Sequence, residues 1–139
     1  MGSLFAAVLL AAGVLKHSLD LTRAGLVAVL AAGLLCLPAQ LTGEGAAAIA
    51  QNLPRVSRAL ILNHQEAAEL GFWVLEAAAA LALFGLLLLK NGSPKARLLA
   101  LLTLAVTGLS FGLLARAGNL GGQIRHTEIR EGFGTADEL

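Results

Sequence analysis

The chain has 139 residues, 57% of them hydrophobic and 14% charged, with a net charge of +1. A soluble domain carries about 25% charged residues, so this chain has too little polar surface to coat itself in water and is expected to lie in a bilayer. The small charge and the lack of a basic run argue against a nucleic-acid partner. Four spans of about 20 residues with their loops use the whole length and leave no separate soluble domain.

Leu, Ala and Gly dominate and Tyr is absent, a composition that suits helices packed closely through small residues. The single cysteine, Cys36, lies in an apolar segment and has no internal disulfide partner. No segment has the charged head and small-residue cleavage site of a signal peptide.

The first predicted span, residues 2–16, has an apolar run from 4 to 15 that ends at Lys16-His17. A dozen helical residues cover about 18 Å of a hydrocarbon core about 30 Å thick. Snorkelling of Lys16 adds a turn at most, so either the first helix is short or the protein starts upstream of Met1, and the second is the favoured expectation. Residues 16–23 form a short polar connection. The second span, 24–41, is expected to kink or close at Pro38. Thr42-Gly43-Glu44 then reads as a new helix start, with Thr42 as cap and Glu44 in the first turn. A short helix over 46–52 is predicted to lie along the interface.

From Pro54 the helical pattern runs without a breaker to Leu89, and counting back from Lys90 puts the third span at 66–89. His64, Glu66 and Glu69 then sit at or above the membrane surface, and Glu76 about 9 Å below it. Asn91-Gly92-Ser93-Pro94 reads as a stop and restart, with Gly92 as C-terminal cap, Ser93 as N-cap and Pro94 at the first helical position. The fourth span, 97–117, is closed by Gly118-Asn119 and followed by a polar tail, 119–139.

Orientation follows from the basic residues beside the spans. Lys16, Arg23, Lys90, Lys95 and Arg97 crowd the two short loops of one side, whereas Arg55, Arg58, Arg116, Arg125 and Arg130 are spread over much longer stretches of the other. The dense side is expected to be cytoplasmic and both termini periplasmic, in a multi-pass protein of a bacterial inner membrane. Glu44, His64, Glu66, Glu69, His126 and Glu128 then converge on the outer face from three segments of the chain, while His17 falls on the cytoplasmic side.

At about 100° per residue, Gln65, Glu69 and Glu76 share one face of the third helix, and His64 lies on another with Ala68, Gly71, Leu75 and Ala82. That second face is made mostly of small residues, so it can approach a neighbouring helix or leave room for a planar ligand. Ligation by His64 then needs partners from Glu44 or from His126 and Glu128 in the tail. Iron, zinc and manganese accept mixed imidazole and carboxylate shells, and a haem b takes one or two axial histidines, for which His64 and His126 are the outer pair. The Glu-x-x-His of bundle-core diiron sites matches poorly, because the order and spacing differ here.

Bland readings compete with each of these. His64 and Glu66 also suit a solvated helix end, and Glu76 suits a structural ion pair with Arg116. Gly108-Leu109-Ser110-Phe111-Gly112 reads as a packing seam within the bundle. Thr103, Thr107 and Ser110 read as hydroxyls bonded back to their own helix. No catalytic constellation and no phosphate-binding loop is present.

Three stretches resemble an uncharacterised family of small four-helix bacterial membrane proteins: Leu41-Thr42-Gly43-Glu44, His64-Gln65-Glu66-Ala67-Ala68-Glu69, and Gly121-Gly122-Gln123-Ile124-Arg125-His126-Thr127-Glu128-Ile129. The similarity extends from about Gly2 to Arg130, with the tail motif its most specific part. The resemblance implies a further N-terminal segment carrying histidine and an Asn-His-x-Pro element, which would join the outer-face cluster.

The sequence therefore predicts an all-α integral membrane protein, an antiparallel four-helix bundle with a short interfacial helix between spans 2 and 3. The expected function is to bind a redox-capable metal at the periplasmic face, as haem b or as iron held by His and Glu, for electron transfer or metal handling. His64 and His126 are the expected ligands, with Glu44, Glu69 and Glu128 as ligands or orienting groups. No catalytic residue is expected. The alternative is a non-catalytic structural or assembly subunit of a larger membrane complex, or a homo-oligomer. A third reading is a proton or cation path through Glu76.

Overall fold

The computed structural model describes residues 1–52, 56 and 58–126. It contains four α-helices: α1 (Gly2–Leu15), α2 (Leu19–Ala50), α3 (Arg58–Lys90) and α4 (Ala96–Arg125). α2, α3 and α4 have 32, 33 and 30 residues and are apolar enough to cross a membrane. At about 1.5 Å per residue each exceeds a hydrocarbon core of about 30 Å. α1 has 14 residues and is too short to do so.

The connections close as local chemistry requires. After α1, the Ser18 N–H donates to Gly13 O at 3.0 Å and His17 takes a φ of 52°. The Ser18 hydroxyl then caps α2 by accepting from the Leu21 N–H at 3.3 Å, and Asp20 stands in the first turn. After α3, Gly92 at φ 65° makes the left-handed turn expected of it, and the Ser93 N–H donates to Leu88 O at 3.0 Å. Ser93 Oγ accepts from the Lys95 N–H at 3.3 Å, but the helix itself starts at Ala96. The predicted restart is thus early by two residues.

Two expected breaks do not occur. α2 continues through Pro38 to Ala50 as one helix, and Thr42 does not cap a new helix. Its hydroxyl donates back to Pro38 O at 3.0 Å and to Ala39 O at 3.3 Å. These bonds occupy carbonyl oxygens around the proline, and residues 46–50 form the last turns of α2 rather than a separate helix. Likewise α4 passes Gly118-Asn119 and ends at Arg125, so 119–125 belong to the helix and not to a tail. The Gln123 side-chain amide donates to Asn119 Oδ1 at 2.7 Å, one turn back, across this extension.

Packing places α3 most extensively on α4, with α1 on α2, α2 on α3, and α1 closing against α4; α2 and α4 barely meet. The interior is small: Ala6, Ala78, Ala82 and Ala100 are fully buried beside Leu10, Leu26 and Val29. Phe5, Val8, Leu35, Trp73, Phe84 and Leu109 are exposed. Small residues inside and large apolar ones outside are what helices packed in lipid require, since no hydrophobic gain rewards burying a leucine there.

Register is read from the glycine contacts. Space at Gly13 is limited by Thr22, at Gly25 by Leu10 and at Gly2 by Ala32; Gly33 abuts Ala79 and Gly85 abuts Leu26; Gly71 abuts Leu114 and Gly121 abuts His64. In each pair of helices the numbers rise on one member as they fall on the other. α1 therefore ends level with Ala32-Gly33, while α2, α3 and α4 carry on past it.

Among the buried hydroxyls, Thr103 donates to Leu99 O at 2.8 Å and Thr107 to Thr103 O at 2.7 Å, each within its own helix as expected. Ser110 does not follow: its hydroxyl crosses to α3 and donates to Gly71 O at 3.0 Å. The Gly108/Gly112 pair is not an internal seam. Both glycines are exposed, and a Cβ on either would meet nothing within 4 Å.

Candidate functional site

Where α1 stops, the other three helices leave a cleft of about 470 Å³. α2 lines it with Cys36, Gln40, Gly43 and Ala47, α3 with His64, Gln65, Ala68, Glu69 and Phe72, and α4 with Leu114, Gly121 and Ile124. Small residues on α2 widen it, and Phe72 closes its deep end, its ring edge-on to exposed Trp73 at 5.1 Å between centroids. A mostly apolar cavity with a few convergent polar groups is the usual form of a small-molecule or cofactor site.

His64 is the most firmly placed polar group in it. The ring is half-buried, and its Nδ1 lies 2.8 Å from the Ala117 carbonyl oxygen on α4. A carbonyl only accepts, so Nδ1 carries the proton and Nε2 is left as the basic nitrogen. Gly121, one turn further along α4, admits the ring: a Cβ there would stand 3.1 Å from His64 Cε1 and 3.2 Å from Nδ1. The helical face predicted for His64 is thus the one α3 turns to α4, with Gly71 and Leu75 buried on it.

The remaining predicted residues divide. Glu69 lines the cleft and is exposed, with Gln65 a turn before it. Glu66 is exposed on α3 outside the lining, and Glu44 lies in α2 between the lining residues Gly43 and Ala46. His126 caps the C-terminus of α4, exposed, just beyond Ile124. Glu128 falls outside the described residues. Among the described residues no three His, Cys, Asp or Glu side chains come together as a metal-ion cluster.

The expected Glu76–Arg116 ion pair is not formed. Arg116 is exposed on α4, whereas Glu76 Oε1 is buried without a hydrogen-bond partner among the described residues. The carboxylate faces α2 instead: a Cβ at Gly33 would lie 3.4 Å from Oε1 and 3.6 Å from Oε2.

Sequence reasoning missed Gln40 and the Ala117 carbonyl. Neither has a signature: one is a lone amide in a span, the other a backbone group. Gly121 was marked only as part of a tail motif, and its use as a seat for an imidazole required knowing that α4 extends so far. A second cavity, about 390 Å³, lies at the opposite end around the two short connections, between Gly13, His17, Ser93 and Arg97.

No protein-family model, curated protein or solved structure matches the chain.

Proposed function

We propose that the chain is an antiparallel four-helix bundle of a bacterial inner membrane, with both termini periplasmic, that binds a redox-capable cofactor in the cleft through His64. The observation that carries this is the bond from His64 Nδ1 to Ala117 O. Metal-ligating histidines almost always donate their other ring N–H to a carbonyl or carboxylate, which fixes the ring and makes the ligating nitrogen more basic. Here that leaves Nε2 as ligand.

The donor set selects between the two forms of the metal. A bare ion in a closed protein site takes about four protein ligands, and the described lining of the cleft offers His64, Glu69 and Cys36, which do not come together as a cluster. A haem brings four nitrogens of its own and needs one or two axial ligands. Haem b on His64, in a cleft with mostly apolar walls, is therefore the better fit. Bound there, it would supply one-electron chemistry, and the chain's part is to hold the iron, orient the ring and limit water. His126, Glu44 and Glu128, the last outside the described residues, are the further residues that would help hold the iron or orient the group. Electron transfer in a membrane complex is the corresponding role.

The register supports the antiparallel arrangement, the long apolar helices support the bilayer, and the crowding of Lys and Arg in the short loops supports the orientation. Adding haem to the purified protein tests the reading: saturation at one per chain, lost in His64→Ala, is expected, and uptake unchanged in that variant would overturn it.

A second reading keeps the bundle but makes it an assembly subunit. The outward Gly108 and Gly112 on the exposed side of α4 favour it, because small residues four apart let another membrane helix approach closely. Cross-linking between cysteines placed at Gly108 or Gly112 tests it; monomer yield equal to that at Leu101 would dismiss it.

A further inference from the structure

Glu76 is the polar group that the cofactor reading leaves unused. It sits in the membrane-spanning part of α3, half-buried, one turn past Phe72, which lines the cleft; Glu76 itself lies beyond that lining. An unpaired carboxylate there is costly and marks a functional position by default. Among the described residues its surroundings supply no counter-charge. From α2 it meets Gly33, which contributes no side chain; Cys36, one turn further along α2, lines the cleft. α4 is apolar or hydroxylic at this depth, with Thr103, Thr107 and Ser110 bonded to carbonyl oxygens and Arg116 exposed. α1 carries no acidic or basic side chain, and the amino group at its head belongs to Met1, which is 98% exposed. Among the described residues Glu76 Oε1 has no hydrogen-bond partner.

A cation would need several oxygens around it, and the neighbours named here do not provide them. A proton needs one. We propose that Glu76 is a proton-binding carboxyl inside the membrane, reached from the outer surface through the cleft between His64 and Cys36. The step is a simple exchange: water in the cleft delivers a proton to the carboxylate, giving the neutral acid, and takes it back on release. Gly33, without a side chain, lets the carboxylate oxygens pack against α2, the helix that carries Cys36 into the cleft. The site does not depend on haem being bound.

The experiment is infrared spectroscopy of the protein oriented in lipid vesicles, with the carboxyl band of Glu76 isolated as wild type minus Glu76→Gln. The pH is stepped on the outer side alone. The band is expected to follow that step, to shift in heavy water, and to remain in Glu76→Asp. Filling the cleft from either wall, with Ala47→Phe or Ala68→Phe, is expected to slow the response several-fold while circular dichroism stays unchanged. A response equally fast in both filled variants, or one that follows only the inner pH, would overturn the proposal. His64→Ala is expected to leave the response intact, so failure of the haem reading and failure of this one are distinguishable.

Discussion

His64 on α3 and Ala117 on α4 are joined by a 2.8 Å hydrogen bond between the Nδ1 atom and the carbonyl oxygen. It ties α3 to α4 at the cleft and at the same time chooses the tautomer of the ring. The same contact thus serves packing and site.

The seat of that ring is testable without touching the ring. Gly121→Val puts a branched side chain where even a Cβ stands 3.1 Å from His64 Cε1. The imidazole must turn or α4 must shift, and overpacking of this kind costs about 1–3 kcal/mol. Thermal unfolding in detergent should show that loss, together with a changed His64 ring signal in nitrogen-edited NMR. Wild-type behaviour in both would mean that the helices are not in this register.

Glycines inside and outside the bundle should respond oppositely. At Gly13 a Cβ would run into the backbone of Thr22, and at Gly25 into that of Leu10, so Gly13→Ala and Gly25→Ala should destabilise. Gly108→Ala and Gly112→Ala meet open space and should be neutral or gain up to about 1 kcal/mol from helix propensity. Denaturant titration of the four variants decides it; equal losses at all four would contradict the rotation of α4.

The buried hydroxyls offer a finer contrast. Ser110→Ala removes the bond to Gly71 O that links α4 to α3, for which about 0.6 kcal/mol, at most about 1.7, is expected in a membrane protein. Thr103→Val removes only a bond to its own helix while keeping the shape, and should cost less than Ser110→Ala. Unfolding measured in one lipid composition separates them.

Pro38 lies within a continuous α2 and cannot donate to the carbonyl a turn before it. Pro38→Ala should therefore raise thermal stability with no change in helix content by circular dichroism. A fall in stability would show that the proline shapes the cleft wall between Cys36 and Gln40.

Much of the scaffold was legible in the chain, because membrane helices announce themselves by length and their ends by glycine, serine and charge. The turn at Gly92 is the clearest case. Pro38 and Gly118 misled because breakers act through local cost, which packing along a long helix can outweigh. The facing of α4 was not legible at all. In a chain apolar on every side, periodicity does not separate the face toward the bundle from the face toward lipid, so Gly108 and Gly112 read as internal and Arg116 read as a partner for Glu76. For the candidate site, His64 and Glu69 were singled out for their chemistry and both line the cleft, and Gly71, placed on the face of His64, is buried against α4. What the residues could not show was the cleft. It exists because α1 ends level with Gly33, a relation between two helices that no single stretch of sequence carries.

The most direct measurement is the absorption spectrum of the protein purified from its native membrane, with iron and haem content determined on the same sample. The account predicts a Soret band with about one haem per chain that disappears in His64→Ala and persists in Glu76→Gln. The absence of both a Soret band and stoichiometric metal from the wild-type protein would contradict it.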